Sequence, residues 1–334
     1  MQPFAYHRAS SLEDALRHGA MEGASYLAGG TTLVDLMRIG VMRPDRLIDL
    51  RDVAELRGFD TGGETLRFGA LASMAEVADD IVLRQDYPAL AESLLLAASA
   101  QLRNMATVGG NLLQRTRCMY FRDTRYQACN KRSPGSGCAA LDGVNRQHAV
   151  LGGSERCIAT MPSDWAVALT AFDAAVEIAG PQGRRTMPID SFHISYGEHP
   201  EAETALRPGE ILTAILVPAN RAGRTSCYAK VRDRESFAFA ISSAAVALRM
   251  EGGRVAEARI ALGGLSTTPW RATAAEALLR GRSLDESSMK EAAARAMDGA
   301  DPRPGNAFKV ELGRRTVEDA LLRAARRAEE GDAA

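Results

Sequence analysis

The stretch that opens with Thr107-Val108-Gly109-Gly110-Asn111 and closes with Pro162-Ser163-Asp164 decides how this chain is read, because four of its five cysteines, Cys118, Cys129, Cys138 and Cys157, lie between those ends. Glycine has no Cβ and tolerates positive φ, so backbone N–H groups of a Gly-Gly pair can close on an anion. Thr107, Gly109, Gly110 and Asn111 are therefore expected to form a phosphate or pyrophosphate seat. The cysteines occupy a segment with little apolar periodicity and many Gly, Pro, Asn and Arg residues, which packing alone would hardly order. Something other than a hydrophobic core has to hold it.

The gaps between the four cysteines are ten, eight and eighteen residues. Structural zinc sites bring closely spaced cysteine pairs, and none is present. Four isolated thiolates delivered by a long wrap suit an iron–sulfur cube. From Arg115 to Cys157 eight Lys or Arg stand against three acids, a balance that favours an anionic cluster. On these residues alone a zinc site, or ordinary cysteines in a solvated basic loop, remains open. Cys227, beside Tyr228 and far from the others, reads as a packed thiol.

Upstream, Ala24 to Ala28 reads as a strand running into Gly29-Gly30-Thr31-Thr32, and Leu33, Leu36 and Met37 begin a helix. A strand, a glycine turn and a helix N-terminus make a second candidate anion seat. It is neither a G-x-G-x-x-G fingerprint nor a P-loop, since no lysine follows. Ser10 with Glu13, and Ser73 with Glu76, have capping-box spacing, the first placing a helix start near Ser11. Arg46 to Leu50, Thr65 to Gly69, Ala175 to Ala179 and Glu210 to Val217 read as strands, Tyr87 to Met105 as one long helix, and Ser163 as the cap of another. Beyond Arg221 come extended segments at Tyr228–Val231 and Phe239–Met250, and a Gly252-Gly253 hairpin into Val255–Leu262. Helices are expected at 271–280, 287–297 and 315–328, with a frayed end over 329–334.

A chain of 334 residues has room for two domains, and 46% hydrophobic with 25% charged residues is ordinary for a soluble enzyme. A net charge of -1 gives no global attraction to nucleic acid, and no run is long enough to insert in a membrane. Met1 to Arg8 lacks the apolar core of a signal peptide. His7, His18, His148, His193 and His199 show no ligand spacing and receive no role.

With both glycine turns, the cysteine loop and Ser163-Asp164 in view, the chain resembles the FAD-binding subunits of the molybdenum hydroxylases, the xanthine dehydrogenase family, and within it those of bacterial periplasmic-type aldehyde oxidoreductases. Leu27-Ala28-Gly29-Gly30-Thr31-Thr32-Leu33 and Ala106 to Asn111 match its two pyrophosphate loops, and Pro162-Ser163-Asp164 the segment whose aspartate bonds the flavin side of FAD. Glu210-Ile211-Leu212 matches a strand beside the isoalloxazine ring, and Tyr228-Ala229-Lys230 supplies a lysine near it. The cysteine insertion departs from the commonest pattern and is similar to a subset that carries a 4Fe–4S cluster.

The resemblance implies an α+β chain. Residues 1–220 would form an FAD-binding domain of the vanillyl-alcohol-oxidase (PCMH) type, with α+β lobes at about 1–57 and 58–220 and a cluster loop at 115–158. Residues 221–330 would form an α+β domain like that of carbon monoxide dehydrogenase flavoproteins. It further implies a heterotrimer, in which a large subunit oxidises an aldehyde at a molybdenum cofactor and a small subunit with 2Fe–2S clusters relays electrons to this chain and on to an external acceptor. Periplasmic location by co-export with a partner, or the cytoplasm, fits that picture. Two rival functions stay open: a self-sufficient FAD oxidase or reductase of the same fold, and a zinc-stabilised binding module.

Overall fold

A computed structural model describes residues 1–332 and builds them around three sheets. The first is parallel, with Arg46–Asp49 between Ala5–Arg8 and Ala24–Leu27. Parallel neighbours need crossovers, and the helices Leu12–Gly19 and Leu33–Arg38 belong to them. The first helix is capped by Ser11, whose hydroxyl accepts from the Asp14 amide at 3.1 Å, so the expected Ser10–Glu13 box is one residue out of step. That frame turns Leu12 and Ala15 into the core.

The second sheet is antiparallel and runs Phe59–Asp60, Thr65–Gly69, Ile211–Pro218, Ala175–Gly180, Gly183–Pro188. Its central strand is covered on both faces, so it reads as a continuous apolar run. Met74–Asp79 carries both halves of the expected Ser73–Glu76 capping box. The helix expected over Tyr87 to Met105 is broken into Pro88–Leu95 and Ala100–Met105, because Ala98 sits at φ 50° and Ser99 caps a fresh helix through the Leu102 amide. The second glycine pair lies within a short helix, Val108–Leu112, capped by Thr107, and is not an open turn.

The third sheet is antiparallel, ordered Trp270–Arg271, Arg254–Gly263, Ser242–Glu251, Cys227–Val231, with Glu251 opposite Arg254 across the expected hairpin. Helices Thr273–Leu279, Glu286–Ala296 and Phe308–Asp332 complete this part. The last helix starts at Phe308 rather than 315 and continues to Asp332 through the segment expected to fray; Ala333 and Ala334 lie outside the described residues. The Cys227 thiol is buried and donates to the Ala320 carbonyl at 3.0 Å, a packed thiol as its sequence context suggests. Helix Asp164–Ala171 is buried along its whole length and wedges between the second and third sheets. There Gly263 faces Val167 so closely that a Cβ would lie 2.4 Å from Val167 Cγ2. Among the described residues no helix is long and apolar enough to cross a membrane.

The cysteine loop has little regular structure beyond Met119–Arg122. It is tied down from outside. Lys309, fully buried on the last helix, donates to the carbonyls of His148 at 2.9 Å, Gly264 at 2.6 Å and Gln147 at 3.3 Å. Asn306 Nδ2 adds a bond to the Ala149 carbonyl at 3.1 Å. Arg115 and Lys131 both pair with Glu203, Arg122 with Asp35 at 2.7 Å, and Arg156 with Glu198 at 2.7 Å. Replacing Lys309 by Met keeps the volume and leaves three carbonyls without their shared donor. That change should lower unfolding free energy by about 2–3 kcal/mol in urea titrations, as expected for lost bonds to a charged donor. An unchanged midpoint would show that the latch holds nothing.

Candidate functional site

The residues between the lobes enclose a cleft of about 940 Å³, bordered by Thr31, Thr32, Gly110, Asn111, Asp164 and Cys118 among others. The first glycine loop reaches it because Gly30 takes φ 74° and because Gly29 has no side chain. A Cβ on Gly29 would lie 1.9 Å from the Met105 carbonyl oxygen, so only glycine lets this loop abut the segment leading to the second. Among the described residues none accepts a hydrogen bond from the amides of Gly29, Gly30, Thr31 or Thr32. Four unpaired donors ahead of a helix suit an anion. Of this loop only Thr31 and Thr32 border the cleft; Leu27, Ala28, Gly29, Gly30 and Leu33 lie behind them.

The second loop behaves differently from what its sequence suggests. The Val108 amide donates to Ala72 O at 2.9 Å, Gly109 to Ala70 O at 3.0 Å, Gly110 to Thr107 Oγ1 at 3.1 Å and Asn111 to Thr107 O at 2.9 Å. These four amides are already engaged, so this loop offers the cleft its bare Gly110 surface and the Asn111 side chain. Asn111 is oriented by Ser163, whose hydroxyl donates to its Oδ1.

Asp164 opens a helix capped by Ser163 and is 5% exposed. Tyr228 donates to its Oδ1 at 2.7 Å and Lys230 to its Oδ2 at 2.8 Å. Burial pushes the carboxyl pKa up, and the Lys230 charge opposes that shift. Lys230 also donates to the Leu96 carbonyl at 3.0 Å and does not border the cleft. It stands behind the aspartate, not beside a ligand. Leu212, expected next to the ligand, is a core residue of the central strand and also lies away from the cleft.

Several cleft residues had no signal in the sequence. Arg117 and Arg122 converge on Asp35 at 3.3 and 2.7 Å, and Arg117 lies over the Phe239 ring at 4.7 Å. Arg146 makes two 3.0 Å bonds to Asp233. The basic character of the loop was legible; the acids that meet it, in other elements, were not.

The four cysteines come together. Cys118, Cys129, Cys138 and Cys157 line one small pocket walled by Tyr120, Phe121 and Ala140, and Cys118 borders the large cleft as well. Cys129 and Cys138 face each other across an antiparallel bridge. A tetrahedral zinc with bonds of about 2.3 Å gathers its sulfurs to within about 4 Å of one another. As placed, no three of these thiols lie within 4.8 Å of one another. The neighbouring Cys157 side chain holds Cys138 down at about 6 while Cys157 itself is pushed up, and burial lifts Cys118 to about 11. Of the eight basic residues, Lys131 and Arg156 border this pocket. Lys131 is buried over the Tyr196 ring at 3.4 Å. A separate trio, His7, Asp14 and His18, is close enough for an ion, but its imidazoles stack at 3.6 Å instead of converging and Arg17 holds the carboxylate at 2.6 Å.

Comparisons with known proteins identify the families that the two parts of the chain match. The family described as FAD binding domain in molybdopterin dehydrogenase matches residues 2–220, and the CO dehydrogenase flavoprotein C-terminal domain matches 226–328. The aldehyde oxidoreductase FAD-binding subunit PaoB of Escherichia coli is 44% identical over 97% of this chain and 99% of its own. The carbon monoxide dehydrogenase medium chain of Afipia carboxidovorans is 30% identical over 96% and 98%. Among solved structures, reconstituted CO dehydrogenase from Oligotropha carboxidovorans superposes with TM-score 0.77 at 26% identity, covering 98% of this chain and 100% of that one. Quinoline 2-oxidoreductase from Pseudomonas putida 86 gives 0.75 at 25%, with 98% of each chain covered.

The buried Asp164–Lys230 pair gives a direct test of how the cleft is supported. Lys230→Met leaves a buried carboxylate unpaired and should cost about 3–5 kcal/mol in chemical denaturation. Adding Asp164→Asn should restore most of that loss. Equal stability of wild type and the single variant would show that the pair does not bear on folding.

Proposed function

The chain belongs to the FAD-binding subunits of the molybdenum hydroxylases, and from that premise we propose that it is the electron-transfer subunit of a molybdenum-dependent aldehyde oxidoreductase, carrying FAD in the cleft and a 4Fe–4S cluster on Cys118, Cys129, Cys138 and Cys157. The observation that carries this reading is that the cleft and the four-cysteine pocket share Cys118 as a common wall. A flavin supplies both one- and two-electron redox chemistry and an iron–sulfur cube supplies one-electron chemistry, so adjacency is what the pair requires.

The chain's own residues bind, orient and shield. The free amides of Gly29 to Thr32 receive the diphosphate, and Asn111, held by Ser163, contacts it from the opposite loop. Asp164 accepts from donors on the ribityl or flavin portion, and Lys230 and Tyr228 hold its carboxyl in place. Phe121, Tyr120 and Ala140 wall the cysteine pocket, in which Cys129 and Cys157 are buried. Metal binding requires thiolates, so filling the site would release the thiol protons of these cysteines.

Aldehyde oxidation belongs, on this reading, to a large molybdenum-cofactor subunit, with a small 2Fe–2S subunit between it and this chain, and an external acceptor beyond. Support comes from relatives that are themselves FAD-binding subunits or medium chains. Anaerobically purified protein should contain about one FAD and about four irons with matching sulfide, as the four-thiolate rule for a cube requires. Cys129→Ser should lose most iron and keep most flavin; full retention of iron removes Cys129 from the ligand set. Zinc without iron and without a flavin spectrum would identify a zinc-stabilised module instead. Turnover of an alcohol or nicotinamide donor by the isolated chain would identify a self-sufficient flavoenzyme.

A further inference from the structure

His148 lies where the two cavities meet. Its side chain borders the cleft, its ring is 5% exposed, and its Nε2 is 3.1 Å from Sγ of Cys118, the cysteine that faces both spaces. The backbone that carries it is unusually well fixed. Its amide donates to Asn145 O at 2.9 Å and its carbonyl accepts from the buried Lys309 at 2.9 Å. The ring is thereby held against the sulfur by the same latch that closes the end of the cysteine loop.

The chemistry of the contact settles which atom donates. A sulfur bound to iron is a thiolate and has no proton to give, so a 3.1 Å approach by a ring nitrogen is favourable only if that nitrogen carries the hydrogen. The opposite tautomer would set an imidazole lone pair against the thiolate. The Nε2–H tautomer avoids that repulsion.

We propose that His148 is a positioning residue that donates an N–H···S hydrogen bond to Cys118 and so raises the reduction potential of the cluster on the side that faces the flavin cleft. This rests on the 4Fe–4S reading above. Reduction adds negative charge that is shared with the ligand sulfurs, and a donor aimed at one of them stabilises the reduced form more than the oxidised form. The other three thiols border only the small pocket, so this bond acts on the one ligand that the two cavities share.

The test is an EPR-monitored redox titration of the full chain purified with its iron and FAD, comparing wild type, His148→Leu and His148→Gln. Leucine keeps bulk and removes the donor; glutamine restores an N–H. His148→Leu should retain iron and shift the one-electron equilibrium about tenfold toward the oxidised cluster, a fall of about 59 mV, and His148→Gln should recover most of the shift. An unchanged midpoint in His148→Leu, in protein that holds about four irons, overturns the proposal and leaves the cluster reading intact. Wild-type protein without iron overturns the cluster reading and this inference with it. Should His148→Leu lose its iron, wild-type protein labelled with 15N-histidine decides. A nitrogen coupling to the reduced cluster in pulsed EPR supports the bond, and its absence overturns it.

Discussion

Four thiols are gathered into one pocket by a segment that has almost no helix or strand of its own, and ordering that segment is the constraint on which the site depends. Ordering an irregular backbone costs about 1–2 kcal/mol per residue, and a loop this polar cannot recover that from apolar burial. The recovery comes from cations anchored to carbonyls and acids elsewhere in the chain. Lys309 gathers the carbonyls of Gln147, His148 and Gly264, and Lys131 sits buried between Glu203 and the Tyr196 ring. Arg122 reaches across to Asp35 in the first lobe. These contacts join the cysteine loop to both ends of the sequence, which makes the loop a part of the tertiary core and not an appendage.

The same economy shapes the cleft. Glycine at 29 permits the approach of two loops, and the first of them is left with unpaired amides while the second uses its amides to fasten itself to Ala70 and Ala72. One loop therefore leaves donors free and the other frames the cleft. Asp164 can present a carboxylate in an otherwise dry place because Lys230 and Tyr228 arrive on the neighbouring strand Cys227–Val231 and satisfy it from behind. The third sheet thus contributes to a site whose glycine loops and Asp164 helix come earlier in the chain.

Local pattern made much of this legible. Strand, glycine turn and helix were readable at Ala24 to Met37 because each signal is short-range, and Ser163 announced its helix by capping it. Four cysteines in one segment told that they belonged together even though their spacing matched no compact knuckle. What stayed hidden depends on positive φ or on distance along the chain. Nothing in the apolar periodicity from Tyr87 to Met105 betrays the φ of Ala98 that breaks the helix. The burial of Lys230 behind Asp164, and of Leu212 in the core, depends on strand register. His148 carried no recognisable spacing because its partner is thirty positions away and its anchor, Lys309, still farther.

Two adjoining spaces, the cleft proposed for a dinucleotide and the pocket proposed for iron, share Cys118. Diffraction from crystals of the anaerobically prepared chain, collected at the iron absorption edge, addresses that most directly. We expect a compact anomalous peak inside the pocket bounded by Cys118, Cys129, Cys138 and Cys157, with dinucleotide density running from Thr31 to Asp164. An anomalous signal at the zinc edge alone, or iron bound anywhere other than those four sulfurs, would contradict it.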